Sequence, residues 1–202
     1  MQPIDVIIPT CRTRPEVEDQ IAEIIRTAGV PVNVIATCQP ICSAKNRNIG
    51  LDQAQSEIVV MIDDDVTGLP KDWVSGLVQV MRDFPNCVMV SAQLMRPEGG
   101  YGLMMGCPHG RPIGSGLHPI DGPHLLTACI AIRNDGLRFN EAFLGSGWED
   151  NAYNDLQRET YPNAVWLVQH DIQVTHRNEM KFQRENFRRN QEYYTQTRRN
   201  KL

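Results

Sequence analysis

Over roughly its first 95 residues the chain alternates short β-branched runs with segments of helical spacing. That alternation restricts the fold more than any other feature. "IDVIIPT" is an apolar run closed by Pro9 and Thr10. "RPEVEDQIAEIIRTAG" follows, with Pro15 near its start, Val17, Ile21, Ile24 and Ile25 at helical spacing, and Gly29 as a stop. "VPVNVIAT" predicts a second strand, and "AKNRNIGLDQAQ" a helix capped by Ser43. "EIVVMI", "PKDWVSGLVQVMRDFP" and "NCVMVSAQLM" predict strand, helix and strand. Such a string gives an α/β domain around a mostly parallel sheet, whose ligands bind at the carboxyl ends of the strands. Pro9-Thr10, Thr37 to Gln39 and the acidic triplet Asp63-Asp64-Asp65 all fall at those ends.

The texture changes at Arg96. Residues 96–124 hold eight of the 15 glycines and five of the 13 prolines, which predicts a lid or an acceptor-side wall rather than a packed element. Strand patterns return in "LLTACIAIR" and in "WLVQHDIQVTH", the latter sufficient for one or two strands. "RNEMKFQRENFRRNQEYYTQTRRN" predicts a final helix. From Lys181 to Leu202 seven Lys/Arg face two acids, so this end carries +5 while the rest of the chain carries -9. A basic end on an acidic body suits an anionic contact. Its interleaved Phe182, Phe187, Tyr193 and Tyr194 suit a nucleic acid, or else the apolar face of a helix packed on the core.

No apolar run approaches the roughly 20 residues of a bilayer span, and "MQPIDVIIPT" lacks the basic start of a signal peptide. None of the six cysteines forms a C-x-x-C pair, which argues against a cysteine zinc site. The expectation is a cytoplasmic protein with free thiols and no transmembrane insertion.

Three successive carboxylates repel one another unless cations hold them. Oxygen-seeking Mg²⁺ or Mn²⁺ fits, since these ions bridge carboxylates to substrate phosphates. In an extended segment Asp63 and Asp65 share a side and Asp64 takes the other. Two families place acids this way. "IDDDVTG" matches the D-x-D-x-T loop of haloacid-dehalogenase-like phosphohydrolases, with Asp63 as nucleophile and Asp65 as acid/base, but that loop usually follows a domain's first strand. The second resemblance is wider. "IDVIIPTCRTRPEV", "SAKNRNIGLDQAQSEIVVMIDDDV", "TACIAIR" with "LRFNEAF", "GSGWED" and "VTHRN" resemble, in order, the successive motifs of family 2 glycosyltransferases from about Ile4 to His176.

That resemblance implies the A-type glycosyltransferase fold: a single-domain, Rossmann-like α/β architecture with a mixed, mostly parallel sheet flanked by helices. It implies a nucleotide-sugar donor, a UDP-sugar foremost, and Mn²⁺ or Mg²⁺. Residues 1–95 would form the nucleotide-sugar half, 96–176 the acceptor half, and 177–202 a basic helix or tail. Pro9, Thr10, Arg12, Gln39, Arg47, Asp63 and Asp64 would bind the donor. Asp63, Asp65 and His176 would hold the metal, with His170 the rival histidine. Asp150 would be the base of an inverting transfer, with Glu149 beside it on an acceptor hydroxyl and Trp148 as a platform or a core residue. The bland alternatives are a helix-end acid pair for Glu149-Asp150 and a solvated charge for Arg47. "TCQP" lacks the family's base-reading Asp, which leaves Gln39 as the nearest substitute. The acceptor is a glycan or a hydroxylated nucleic-acid base. A non-catalytic nucleotide-sugar or nucleic-acid binding module is the reading outside enzymology.

Overall fold

The computed structural model describes residues 2–100, 115–120, 122, 124–177 and 184–199. In chain order the elements are β1 (Ile4–Ile8), a 3-10 turn (Arg14–Val17), α1 (Glu18–Thr27), β2 (Val32–Ala36), α2 (Ser43–Gln53), β3 (Ile58–Ile62) and β4 (Val66–Thr67). Then come α3 (Trp73–Asp83), β5 (Cys87–Met95), β6 (Leu117–Pro119), β7 (Cys129–Arg133), α4 (Glu149–Thr160), β8 (Val165–His176) and α5 (Arg184–Arg199). Among the described residues the strands form one sheet in the order β2-β1-β3-β7-β5-β8-β4, with β6 also on β8. β1 pairs in parallel with β2 and β3, and β5 with β8. β7 runs antiparallel between β3 and β5. Five long strands therefore share one direction, and β4, β6 and β7 oppose it.

Every residue of β1 and β3 is buried, as expected of central strands covered on both faces. α2 packs onto β1 so closely that a Cβ on Gly50 would meet Ile7 Cγ2 at 2.4 Å. The chain leaves α1 through Gly29, whose φ of 77° is left-handed. There Trp73, fully buried at the start of α3, donates its indole N–H to Thr27 Oγ1 at 3.1 Å. Fully burying each such aliphatic or aromatic side chain contributes about 1.5–3 kcal/mol.

One local expectation is corrected. Ser43 does not cap α2: Cys42 stands at the N-cap, and Ser43 begins the helix with its hydroxyl accepting from Arg47. "WLVQHDIQVTH" is a single strand, because a bulge absorbs its irregularity: Ala92 pairs with Gln169 but Gln93 with Gln173, leaving His170, Asp171 and Ile172 as extra residues. The expected lid over 96–124 lies mostly outside the described residues; β6 is the regular element seen in it. No helix among the described residues is long and apolar enough to cross a membrane.

Candidate active site

The acidic triplet leaves β3 in a tight turn. Asp63 N–H donates to the Ala128 carbonyl at 2.8 Å, and Val66 N–H to the Asp63 carbonyl at 3.2 Å. Gln20 of α1 holds the turn from outside, its amide donating to the carbonyls of Asp63 at 2.9 Å and Val66 at 3.2 Å. The three carboxylates diverge. Asp63 and Asp65 converge with His176, and one ligand atom from each lies within 4.8 Å of the others. The short pairing of β4 with the end of β8 makes this possible, since Val66 sits opposite His176. His176 Nε2 is 3.3 Å from Asp65 Oδ1. Burial pulls the His176 pKa down, but the Asp65 hydrogen bond and the Asp63 and Asp65 charges overrule it and leave it raised.

Asp64 turns the other way and accepts from the Thr10 hydroxyl, with Arg12 Nε 3.2 Å away. Thr10 Oγ1 in turn accepts from Arg12 N–H at 2.9 Å. Asp64 thus ties the end of β3 to the end of β1. Gln39 is exposed past β2, its N–H donating to the Thr10 carbonyl at 3.0 Å and its carbonyl accepting from Asn46 at 2.9 Å. Pro9 and Thr10 are buried at the rim.

Arg47 is not a solvated helix charge. Its side chain is 4% exposed. Its guanidinium donates from Nη2 to Asp63 Oδ1 at 2.9 Å and from Nη1 to Glu149 Oε1 at 3.1 Å, and also reaches Ser43 Oγ. The guanidinium also lies 5.4 Å from the Phe139 ring centre. Residues more than a hundred positions apart in sequence are thereby joined across the site. Burial pushes the Glu149 pKa up to about 7, with the Asp150 charge adding to the rise and Arg47 opposing it. Asp63 rises to about 6, again chiefly through burial, although a quarter of its side chain still meets solvent. Glu149 Oε2 is buried without a hydrogen-bond partner.

Glu149 and Asp150 open α4, Glu149 buried and Asp150 half-buried. The Asp150 charge bears on Arg47, Asp63 and Glu149. The preceding residue, Trp148, is a half-buried N-cap with a left-handed φ of 73°. Its ring lies between Tyr194 and Phe187 of α5, with centroids at 5.2 and 5.8 Å. Trp148 is therefore half-buried against α5, with part of its surface still exposed. His170 lies apart from the triplet cluster, 5.3 Å from the His118 ring, with both its nitrogens buried and unpartnered.

A network that sequence reasoning missed lies behind α4. His124 Nε2 meets Asp155 Oδ1 at 3.0 Å, Asn151 Nδ2 meets His124 Nδ1 at 3.0 Å, and Tyr194 OH donates to Asp155 Oδ2 at 2.6 Å. Burial pushes Asp155 up, but His124 and Tyr194 outweigh it and hold its pKa down. The i,i+4 pair Asn151–Asp155 on one helix face was the available signal; its partners come from distant segments.

Two carboxylates and one imidazole thus meet at the end of β3, and Arg47 links them to Glu149 of a second acid pair. Residues 14–102 match the family "Glycosyl transferase family 2". The fold matches residues 1-349 of S. aureus TarS with a TM-score of 0.56 and 17% identity, over 87% of this chain and 60% of that one. It matches the crystal structure of GalNAc-T7 with UDP, GalNAc and Mn2+ with a TM-score of 0.58 and 14% identity, over 89% of this chain and 38% of that one. The chain thus spans less than two thirds of either structure. No curated protein sequence matches it. The chain shares the A-type glycosyltransferase fold with these two structures, and its residues 14–102 match the family 2 model.

Proposed function

We propose that the chain moves a sugar from a nucleotide-diphosphate donor, a UDP-sugar foremost, to an acceptor hydroxyl with inversion at the anomeric carbon. One observation carries this reading: Arg47 joins Asp63 of the acidic triplet to Glu149 of the second acid pair. Donor-side and acceptor-side chemistry are thereby held within one guanidinium of each other. Asp63, Asp65 and His176 would hold Mn²⁺ or Mg²⁺. Their two carboxylates and one imidazole suit Mn²⁺ in particular, and clustered acids with a raised Asp63 pKa are what a divalent cation relieves. When bound, the ion supplies Lewis-acid stabilisation of the departing diphosphate.

The chain's own residues do the rest. Pro9, Thr10, Arg12 and Gln39 line the nucleotide side, with Asp64 fixing Thr10 and Arg12. Asp150 accepts the proton of the attacking hydroxyl. Glu149, beside Asp150, would hold an acceptor hydroxyl once the substrate opens its buried carboxylate. The acceptor is a glycan or a nucleic acid carrying a hydroxylated base, in a cytoplasmic setting; the basic end of the chain suits the latter, while Phe187, Tyr193 and Tyr194 pack on Trp148 and Phe143. The A-type fold is not that of the dehalogenase-like phosphohydrolases, which removes support for Asp63 as a nucleophile.

The test is release of free nucleoside diphosphate from a panel of nucleotide sugars with Mn²⁺, with and without hydroxymethylated DNA or oligosaccharides. Release that needs metal and is lost in Asp65→Asn supports the proposal. Phosphate release from simple esters with no donor turnover sinks it. Donor binding without turnover on any acceptor favours the binding-module alternative.

A further inference from the structure

The segment that delivers Glu149 and Asp150 is gripped from two sides. On the donor side, Ser43 N–H donates to the Gly145 carbonyl at 2.8 Å. On the other side stands Asn190 of α5, 1% exposed. Its Oδ1 accepts from Leu144 N–H at 3.0 Å, and its Nδ2 donates to the carbonyls of Leu144 at 2.8 Å and Gly147 at 3.0 Å. Among the described residues, all of the hydrogen bonds made by this side chain go to that one loop.

The loop needs such a grip. Gly145, Gly147 and Trp148 all have left-handed φ, at 62°, 101° and 73°. A left-handed conformation costs a residue with a side chain about 1–2 kcal/mol, so Trp148 adopts it only where the surroundings impose it. The imposing contacts come from α5: Asn190 on the loop backbone, and Phe187 and Tyr194 on the indole. Tyr194 is itself fixed to α4 through Asp155 and His124. α5 therefore holds both the entrance to α4 and its second turn, while the central strands β1 and β3 are paired and covered without it.

We propose that α5 is a working wall of the acceptor side and that Asn190 is a positioning residue for Asp150. By holding Leu144–Trp148 in its left-handed turn, Asn190 aims the first turn of α4 at the acceptor hydroxyl. The inference rests on the reading of Asp150 as the base. A proton acceptor contributes roughly 10²–10⁴-fold to the rate only when it lies within hydrogen-bond reach, so a small loss of aim is visible in turnover.

The experiment compares the parent chain with Asn190→Ala, Asn190→Asp and Asp150→Asn. Asn190→Asp keeps the acceptor for Leu144 N–H and loses both amide donors. Three quantities are read: UDP affinity in Mn²⁺ by calorimetry, kcat and KM for UDP release from the best donor, and thermal midpoint with tryptophan emission. Both Asn190 variants are expected to bind UDP within about twofold of the parent and keep donor KM. Their kcat should fall by about 10- to 100-fold, and their tryptophan emission should change as Trp148 loses its fixed setting. An Asn190→Ala protein with parental kcat and emission overturns the proposal. So does a parallel loss of UDP affinity and kcat, which marks general loosening instead of lost aim. Parental turnover in Asp150→Asn overturns the base assignment on which the proposal rests, whatever the Asn190 variants do.

Discussion

Replacing Arg47 by Met tests the central electrostatic link. The substitution keeps much of the buried stem and removes the guanidinium. Two carboxylates lose their partner: Asp63 at 2.9 Å and Glu149 at 3.1 Å. Glu149 suffers more, because its side chain is 4% exposed and its second oxygen already lacks a hydrogen bond. Removing one member of a buried ion pair costs about 3–5 kcal/mol, and the partial exposure of Asp63 points to the lower end, about 3 kcal/mol. The loss should depend on pH. The Glu149 pKa is raised to about 7, so its ionised form is disfavoured in the folded chain. That penalty is complete above the folded pKa and disappears as pH falls and the carboxyl takes a proton. Without Arg47 the pKa climbs further and the penalty at alkaline pH grows. Urea unfolding of parent and variant near pH 8 and near pH 5.5 should therefore give a difference of about 3 kcal/mol at the higher pH, shrinking to about 1–2 kcal/mol at the lower. An equal loss at both pH values would refute the reasoning, since Arg47 would then be acting through packing alone.

Asp5 gives the opposite pH sign: burial raises its pKa, but hydrogen bonds from Asn33, Ser56 and Gln55 overrule it and leave it lowered. Its stabilisation is present above about pH 4 and lost as pH falls through the depressed folded value, so Asp5→Asn should flatten the acid limb of a stability–pH curve. Gly50→Ala should destabilise by about 1–3 kcal/mol through overpacking against Ile7, read by thermal or urea unfolding with donor chemistry left unchanged per folded molecule. Mn²⁺ at a hundred times its dissociation constant should stabilise the parent by about 2.7 kcal/mol, seen as a raised thermal midpoint that EDTA reverses. Asp65→Asn should lose most of that rise.

Much of the architecture was legible because it is written locally. Val17, Ile21 and Ile24 fix α1 by spacing, and the β-branched runs at Ile4–Ile8 and Ile58–Ile62 fix two central strands. β4 and β6 were not legible, since two or three residues carry no period. The convergence of Asp63, Asp65 and His176 followed from the ordered motifs, not from the triplet alone. Arg47 could be placed near the site, but its burial between two carboxylates could not, because Glu149 lies 102 positions away. Asp64 could be set on the side opposite Asp63 and Asp65, but its partners Thr10 and Arg12 come beside it only through the pairing of β1 with β3. Asn190 left no signal at all: an asparagine in a basic, polar helix acquires meaning only when its helix docks on a turn of left-handed backbone.

The bulge in β8 makes the length of that strand a chemical property. Upstream, His118 pairs with Val168; downstream, His176 sits opposite Val66 beside the acids. His170, Asp171 and Ile172 lie between these two anchored stretches. Loss of any single residue there would reverse which side of the sheet each later residue faces, and would carry the His176 imidazole away from Asp65. Loss of two would restore the facing while shortening the reach. Insertions and deletions in this stretch should thus act as switches with even and odd settings, so a one-residue indel in a related sequence would mark a rebuilt Asp63–Asp65–His176 corner even where every acid is retained.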